Sequence, residues 1–466
     1  MSLIANGAGE QPTGFYNGVV TTSLRLDKAS GAYLYRTPSS ASNRRTFTFS
    51  CWIKKVDVFP SEANDQHNAL LFAGAESDLY GLNFSAQGEG SATDTVNQLN
   101  IYDYDADDTT DYSIETNRAF ADPSAWFHLV VATDTTQGTQ ANRIKFYVNG
   151  VLQTETTGAH HDAFPQNREL HINESVPHWI GRNIDTTSRY FNSYIAEVNF
   201  VDGTQYAASE FGETKNGVWI PKEPNVTYGT NGYRLQFKNT SVGTASSSTI
   251  GADTSGNNHH WSSGGVAAND CAMPDCPENN FCTMNTLDKV DLVLAEGNLK
   301  TTGAGNSFDT IRSTFAMPSG SWYAEFLCHA GTGNGNNHVG ISTQSEALSG
   351  ISGSNFLGSS ATSYSYSDND NVYNNGSITN STGTTYAAGD IIGVTFTGSE
   401  IKWYKNNSLI ATVSSITGND YCFTTTSYST SMGIFANFGQ DSSFAGAKTA
   451  QGNTDGNGIG DFYYEP

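Results

Sequence analysis

The sequence is poor in positive charge and contains no long apolar run. Its 466 residues include 23 Lys and Arg against 46 Asp and Glu, a formal net charge of −23 at pH 7. A surface of that sign repels phosphate backbones and anionic lipids, so we expect no direct binding to nucleic acid. No stretch of about 18 apolar residues occurs, so we expect no membrane insertion. The first residues lack the basic and apolar regions of a signal peptide, so we expect no signal peptide.

Cysteine is also scarce, with six in the whole chain. So few in so long a chain do not indicate a disulfide framework. Three lie in strand-like runs and are expected to be buried free thiols: Cys51, Cys328 and Cys422. The other three cluster in a polar loop: Cys271, Cys276 and Cys282. Their spacing matches no zinc motif, and whether they pair or bind metal stays open.

Short alternating runs of apolar and polar residues are present instead, separated by turns rich in Gly, Asn, Ser and Asp. This pattern predicts an all-β protein. One phrase occurs twice, as IKFYVNG at 144–150 and as IKWYKNN at 401–407. Ile144, Phe146 and Val148 alternate with polar residues, as Ile401 and Trp403 do in the second copy, and these five should face a core. Each copy is predicted to be the middle strand of a three-stranded meander with a tight turn after it.

The chain is long enough for two domains. We predict two jelly-roll β-sandwiches in tandem, joined by a polar strap. The expected segments are an N-terminal arm at 1–20, a first sandwich with its strap at 21–255, a connector at 256–296, a second sandwich at 297–446 and a tail at 447–466.

The second block contains GSWYAEF, HVGIST, SYSYSDNDNVYNNG, GDIIGVTFTGSEIKWYKNN and ANFGQ in that order. In this order the block resembles a SPRY domain, although Asn407 stands where that family commonly has Gly. The first block contains LRLDKASGAYLYRTP, FTFSCWIKK, DPSAWFHLVVATD, HWIGR and YIAEVNFVDG. It resembles a laminin G-like, concanavalin A-like lectin domain. Both resemblances imply a two-sheet jelly roll, which would explain the repeated phrase.

The combination, with the segments FGETKNGVWIPK, NNFCTMNTLDK and GDFYYEP, resembles phage virion proteins of the tail-fibre or appendage type, often from marine phages. The resemblance implies a structural protein of the virion, made in the host cytoplasm, that binds a host-surface glycan or receptor. Two alternatives stay open. One is a capsid decoration protein without a receptor role, and the other is an enzyme that degrades polysaccharide. Whether the protein belongs to the head or the tail is also open.

Catalytic motifs are missing. No G-x-S-x-G elbow and no H-E-x-x-H helix occurs. Concanavalin A-like glycosidases use two carboxylates on one strand. Glu76 and Asp78 could begin such a motif, but Tyr80 and Gly81 follow, and the second carboxylate is missing. We therefore expect a protein that is not an enzyme and requires no cofactor.

Calcium is the one ion that the sequence suggests, because carboxylate oxygens are its preferred ligands. The run IYDYDADDTTDY offers Asp103, Asp105 and Asp107, and the tail offers Asp455 and Asp461. A solvated acidic hairpin loop is the simpler interpretation of the first segment, and a turn-rich tail is the simpler interpretation of the second. In the tail, Tyr464 stands where a calcium loop would have its bidentate Glu.

Sugar binding would need aromatic rings beside polar groups. Tyr102, Tyr104, Tyr112 and Tyr366 lie near loops among Asp, Asn and Ser, and are the candidate glycan-binding residues. Tyrosine is also common in ordinary strands. We expect a homo-oligomer, with a trimer as the leading choice, because weak sugar contacts gain avidity from multivalent display. Other virion proteins and a host glycan or receptor are the remaining expected partners.

Overall fold

The computed structural model describes residues 15–58, 68–75, 78–84, 96–105, 112–154, 156–157, 163–183, 189–418 and 420–466. The chain divides into two compact units, the first ending at Asn279 and the second spanning Asn280–Pro466. The segment 256–296, predicted as a connector, is thus shared between the two units. The all-β prediction is confirmed, since the described residues contain strands and four single turns of 3-10 helix: Gln140–Asn142, Ala208–Glu210, Ala268–Asp270 and Leu348–Gly350.

The described part of the first unit contains seventeen strands. They are β1 (Leu24–Leu26), β2 (Tyr33–Arg36), β3 (Thr46–Lys55), β4 (Asn68–Ala75), β5 (Asp78–Phe84), β6 (Gln98–Tyr104), β7 (Tyr112–Ala119), β8 (Phe127–Asp134), β9 (Ile144–Val148), β10 (Val151–Leu152), β11 (Thr156–Thr157), β12 (His178–Ile180), β13 (Ser193–Asp202), β14 (Gly212–Lys215), β15 (Val218–Pro221), β16 (Tyr233–Leu235) and β17 (Ser262–Gly264).

These strands form a sandwich of two antiparallel sheets. The seven-stranded sheet has the order β1-β13-β3-β8-β9-β10, with β16 also paired to β13. The eight-stranded sheet has the order β11-β7-β6-β5-β4-β12-β2-β17. Alternate side chains of both sheets, such as Phe49, Leu82 and Phe146, meet in one apolar core between them. Each sheet therefore has an inner face on this core and an outer face turned away from it.

The hairpin β14–β15 covers the outer face of the seven-stranded sheet. Trp219 of this hairpin packs against Val130 and Val201. Its indole N–H donates to Nδ1 of His128 at 3.1 Å, and Nε2 of His128 contacts Ser50 Oγ at 2.9 Å. Burial lowers the pKa of His128 to about 3, so the ring is neutral and accepts this bond. This hairpin belongs to the segment FGETKNGVWIPK of the predicted polar strap, which thus packs on the outer face of the first sandwich.

Two buried ion pairs connect the C-terminal part of the first unit to its N-terminal strands. Arg25 of β1 binds Asp270, and Lys54 of β3 binds Asp275, both at 2.8 Å. The indole of Trp126 also donates to Asp275 at 2.8 Å. Both pairs are almost fully buried, and breaking a buried pair leaves an uncompensated charge. Residues beyond 255 are therefore an integral part of the first unit.

The described part of the second unit contains fourteen strands. They are β18 (Met284–Lys289), β19 (Val293–Ala295), β20 (Lys300–Thr302), β21 (Asp309–Met317), β22 (Trp322–Ala330), β23 (Asn337–Thr343), β24 (Ser363–Ser367), β25 (Asn371–Asn374), β26 (Ser377–Ser381), β27 (Ile391–Phe396), β28 (Glu400–Lys405), β29 (Ser408–Ser414), β30 (Tyr421–Ser427) and β31 (Gly433–Asn437).

They form a second sandwich of two seven-stranded antiparallel sheets. The orders are β18-β21-β30-β23-β24-β25-β26 and β19-β20-β31-β22-β27-β28-β29. The predicted tail packs on this sandwich through the buried ring of Phe462. The carboxylate of Glu325 accepts the backbone N–H groups of Tyr463 at 2.8 Å and Tyr464 at 2.7 Å. Burial raises the pKa of Glu325, and the same N–H bonds oppose that shift.

The repeated phrase occupies the same place in both sandwiches. IKFYVNG supplies β9, the middle strand of the β8-β9-β10 meander, and IKWYKNN supplies β28 in β27-β28-β29. Each meander ends its sheet. The five residues predicted to face a core are all buried: Ile144, Phe146, Val148, Ile401 and Trp403. The prediction that each copy is the middle strand of a three-stranded meander is confirmed.

All six cysteines are buried free thiols. This confirms the expectation for the three in strand-like runs, and the three loop cysteines form no disulfide in this structure. In the described residues, no cysteine belongs to a group of three metal-ligating side chains. The described residues also contain no helix of the length and hydrophobicity that a membrane span requires.

We expect substitutions in the two turns to have opposite effects on the free energy of unfolding. Asn149-Gly150 and Asn406-Asn407 all have positive φ, between 47° and 79°. We expect Asn407→Gly to raise the free energy of unfolding by about 0.5 kcal/mol, because Gly adopts positive φ without strain. Gly150→Ala should lower it by more than about 1 kcal/mol, because the added Cβ would lie 2.4 Å from the Trp219 ring. Urea unfolding of both variants measures the two effects, and changes of the same sign would contradict the assignment.

Candidate functional site

The predicted acidic segment begins in β6, where alternation divides its side chains between two faces. Tyr102 lies opposite Gly81 of β5, and Asp103 lies opposite Tyr80, whose ring belongs to the core. Tyr102 and Tyr104 therefore occupy the outer face of the eight-stranded sheet, with their ring centroids 4.8 Å apart. Asp103 points to the inner side, at one end of the sandwich, which we call the rim.

Asp103 is fully buried in a network of fixed partners at the rim. One oxygen accepts Nε of Arg168 at 3.1 Å and Nη2 at 2.9 Å. The other accepts the backbone N–H of His171 at 2.8 Å and lies 3.3 Å from its Nδ1. Burial opposes the charge on both basic groups, but Asp103 outweighs it, so the pKa values of Arg168 and His171 are raised. This carboxylate therefore organises the rim.

The remaining predicted residues of this segment are distributed around that network. Tyr112 starts β7, and its ring packs under the Arg168 guanidinium at 4.9 Å. Asp105 directly follows β6 and lies 3.4 Å from Nη2 of Arg168. Asp107 lies outside the described residues, as does Glu76. The structure thus brings Asp103, Asp105 and Tyr112 together around one arginine.

The predicted residues of the second unit have structural partners. Asp455 accepts the backbone N–H groups of Asn457 at 2.8 Å and Ile459 at 3.0 Å, which shapes a turn in the tail. Asp461 accepts Gly452 N–H at 3.1 Å and is bound by the hydroxyl of Ser442. Tyr366 is fully buried, and its hydroxyl donates to the carbonyl of Thr384. The Tyr366 ring therefore presents no face to a ligand in this structure.

An aromatic row that the sequence reasoning missed crosses the outer face of the eight-stranded sheet. Its members are directly paired neighbours in five adjacent strands: Tyr35, Trp179, Phe72, Gly81 and Tyr102. At Gly81, an added Cβ would lie 2.5 Å from the Tyr102 ring and 2.8 Å from that of Phe72. The glycine thus lets the two rings approach each other. Phe72 is 1% exposed, Trp179 is half-buried and Tyr35 is 43% exposed, so the row opens towards β2.

Unsatisfied polar groups lie beside this row. Asn83 of β5 pairs with Asn100 of β6 on the same outer face, and Ser113 of β7 pairs with Tyr102. In the part of the chain that the structure describes, Oδ1 of Asn83, Oδ1 of Asn100 and Oγ of Ser113 are buried without a hydrogen-bond partner. Asn83 is only 1% exposed. Buried polar groups are normally bonded, so these three atoms keep hydrogen-bonding capacity that the described residues do not use.

The open end of the row carries a positive charge. The Arg182 guanidinium stacks on the Tyr33 ring at 4.7 Å and lies 5.8 Å from the Trp179 ring. Tyr33 and Tyr35 are two residues apart in β2 and share the outer face. The outer face therefore combines ring surfaces, amide and hydroxyl groups and one guanidinium, which together can stack on and hydrogen-bond to a polyhydroxylated ligand.

A comparison with known families identifies the first unit. Residues 28–209 match the family model described as the concanavalin A-like lectin/glucanases superfamily, a laminin G model. The first unit contains a laminin G-like, concanavalin A-like domain. The aromatic row and the rim network both belong to this laminin G-like domain. A search of curated proteins found no match.

Solved structures give weaker similarities. The SPRY domain of human HERC1 is 16% identical, covering 34% of this chain and 97% of its own at a TM-score of 0.30. Domains LG4-5 of the mouse laminin alpha1 chain are 10% identical, covering 88% of this chain and 83% of their own, also at 0.30. A candidate carbohydrate-binding protein from Bacteroides ovatus is 15% identical, covering 53% and 59% at 0.35. At these TM-scores, none of the three supports an argument about function.

Asp103 and Asp105 should differ in their effect on stability. We expect Asp103→Ala to lower the free energy of unfolding by about 3 kcal/mol, because it removes a buried carboxylate that both Arg168 and His171 contact. Asp105→Ala should cost about 1 kcal/mol or less, because its contact with Arg168 is longer and partly exposed. Urea unfolding at pH 7 measures both. Equal losses would contradict the central role of Asp103.

Proposed function

We propose that the protein binds neutral glycans through the outer face of the eight-stranded sheet in its laminin G-like domain. The observation that carries this proposal is the set of three orphaned polar atoms, on Asn83, Asn100 and Ser113, beside the aromatic row. An unpaired buried polar group costs about 1–3 kcal/mol, which a ligand recovers if it supplies the missing bonds. The face therefore holds unused hydrogen-bonding capacity at one place.

A saccharide can contact both the polar groups and the aromatic rings of this face. Its hydroxyl groups donate and accept hydrogen bonds, as an asparagine side chain also does. Its C–H groups present an apolar surface that packs on rings such as those of Trp179 and Tyr35. An apolar ligand would leave the amides unpaired. A strongly anionic ligand would oppose the chain's formal net charge of −23.

We propose binding without hydrolysis. Glycoside hydrolysis normally needs two carboxyl groups on either side of the scissile bond. Among the described residues of this outer face, Glu115, opposite Asn100, is the one carboxylate. Asp78 and Asp103 lie towards the rim, away from the aromatic row. A calcium ion bound by Asp103, Asp105 and Asp107, or by Asp455 and Asp461, stays a prediction.

The substitution Asn83→Leu tests whether Asn83 contributes to glycan binding or to the stability of the fold. We expect this variant to unfold at a higher temperature, because it removes a buried amide oxygen that has no hydrogen-bond partner. The same variant should bind glycan at least tenfold more weakly, because the ligand loses that partner. Tyr35→Ala and Trp179→Ala should also weaken binding at least tenfold, with little loss of stability for the exposed Tyr35. Glycan-array and host-cell binding of the full chain measure the loss of binding, and thermal unfolding measures the change in stability.

The matched control is Asn380→Leu. Asn380 is exposed on β26 of the second unit, so the same change should alter neither glycan binding nor stability by much. Leu152→Ala removes an exposed apolar side chain from the other sheet of the first unit and should bind normally. If the native chain binds no glycan, the proposed function is wrong. If it binds and all three outer-face variants bind equally well, the site lies elsewhere.

The specific setting we propose is a phage virion, with the protein acting as a tail fibre or another surface appendage that attaches to a host glycan or receptor. The resemblance of the strap, connector and tail to such proteins supports this proposal. The trimer and the contacts with other virion proteins belong to the same proposal. A capsid decoration protein without a receptor role is the alternative.

Purified particles test this setting. We expect the chain to be detected by mass spectrometry in particles and by antibody labelling at an exposed appendage. Light scattering of the purified protein should give three times the mass of the 50.0 kDa chain. Absence from particles would exclude the virion role. A chain buried among capsid subunits would favour the decoration protein.

A further inference from the structure

The rim of the first unit carries a second cluster of polar side chains. This cluster is separate from the outer face proposed to bind glycans. Asp78 is the first residue of β5, and Asp105 follows β6 directly. Leu79 pairs with Tyr104, so the two aspartates emerge at the same edge of the sheet. His171 approaches them from the chain between β11 and β12. One carboxylate oxygen of each aspartate and one ring nitrogen of His171 lie within 4.8 Å of one another.

We propose that Asp78, Asp105 and His171 hold a divalent transition-metal ion of the zinc type. Ligand atoms around such an ion sit about 2.0–2.2 Å from it, which places them about 3.5 Å apart. The three side chains therefore need to close by about 1 Å. Asp78 is exposed and can make that movement. This inference does not depend on the glycan-binding proposal.

The orientation of His171 is an independent observation in favour of the ion. Nδ1 faces Asp103 at 3.3 Å, and the backbone N–H of His171 is bound to the same oxygen. A metal-binding histidine is commonly held in this way, with its second ring nitrogen on a carboxylate. Nε2 is left for the ion. His171 is only 7% exposed.

Charge at the rim also favours a cation. Asp103 is compensated by Arg168 through contacts at 2.9 and 3.1 Å. The contact of Arg168 with Asp105 is longer, at 3.4 Å, and uses one oxygen. Asp78 and Asp105 together supply two negative charges next to a nearly buried imidazole. Two carboxylates beside one imidazole are a ligand set that attracts a divalent transition-metal ion.

The ligand set selects the class of metal. Imidazole nitrogen suits zinc, copper, nickel and cobalt, whereas calcium takes six to eight oxygen ligands. Two carboxylates and one imidazole give three protein ligands, which leaves a fourth position for water or for a hydroxyl of a bound molecule. The site differs from the calcium site predicted from the sequence, which used Asp103 and Asp107 and no histidine.

Cobalt is the probe, because its visible absorption reports coordination directly. The untagged full-length chain, freed of metal with a chelator, is titrated with Co²⁺ and then with Zn²⁺. We expect one Co²⁺ per chain, visible ligand-field bands without thiolate charge-transfer bands, and displacement by Zn²⁺. Asp78→Asn should weaken Co²⁺ binding at least tenfold without unfolding the protein, because this side chain is exposed. His171→Gln should remove the bands.

The matched control is Asp291→Asn, an exposed aspartate of the second unit, which should bind Co²⁺ as the native chain does. The proposal is overturned if the native chain shows no Co²⁺ bands, or if Asp78→Asn and His171→Gln both bind normally. Thiolate bands would assign the metal to cysteines and also overturn it. Competition by millimolar Ca²⁺ that His171→Gln does not alter would favour the predicted calcium site.

Discussion

The register between β5 and β6 is the constraint on which both candidate sites depend. It places Asn83 opposite Asn100 and Gly81 opposite Tyr102 on the outer face. The same register brings Asp78 to the edge where Asp105 emerges. A slip of one residue would turn every outer side chain of a strand towards the core. The apolar inner residues of both strands prevent that slip, so ordinary core packing also fixes the polar sites.

Sequence patterns predicted the fold well, because alternation within a strand is a local signal. The repeated phrase revealed two meanders, and its buried residues followed from a period of two. The same alternation places Asp103 inside and Tyr102 outside, and could have separated them at once. The partners of Asp103 could not be found this way, because Arg168 and His171 are more than sixty residues away and lie outside any regular strand.

The sequence predicted only some of the residues on the outer face that we propose to bind glycans. Tyr102 and Tyr104 stood out because aspartates surround them, whereas Trp179 and Tyr35 appear in short apolar runs typical of any core strand. Their position in one row follows from pairings between strands that are distant in sequence. Asn83 in the run YGLNF was the available signal, because an amide among apolar strand residues requires a hydrogen-bond partner. The absence of that partner only emerged from the structure.

The two buried ion pairs have a consequence for how the chain matures on the ribosome. Arg25 and Lys54 are made early, but Asp270 and Asp275 follow more than two hundred residues later. At about 5–20 residues per second, the N-terminal strands wait for tens of seconds with unpaired charges and open edges. The first sandwich therefore cannot be completed until nearly sixty per cent of the chain has been translated. Pauses or truncations before that point leave a species prone to aggregation, so rapid completion of the chain or capture by a chaperone favours its yield.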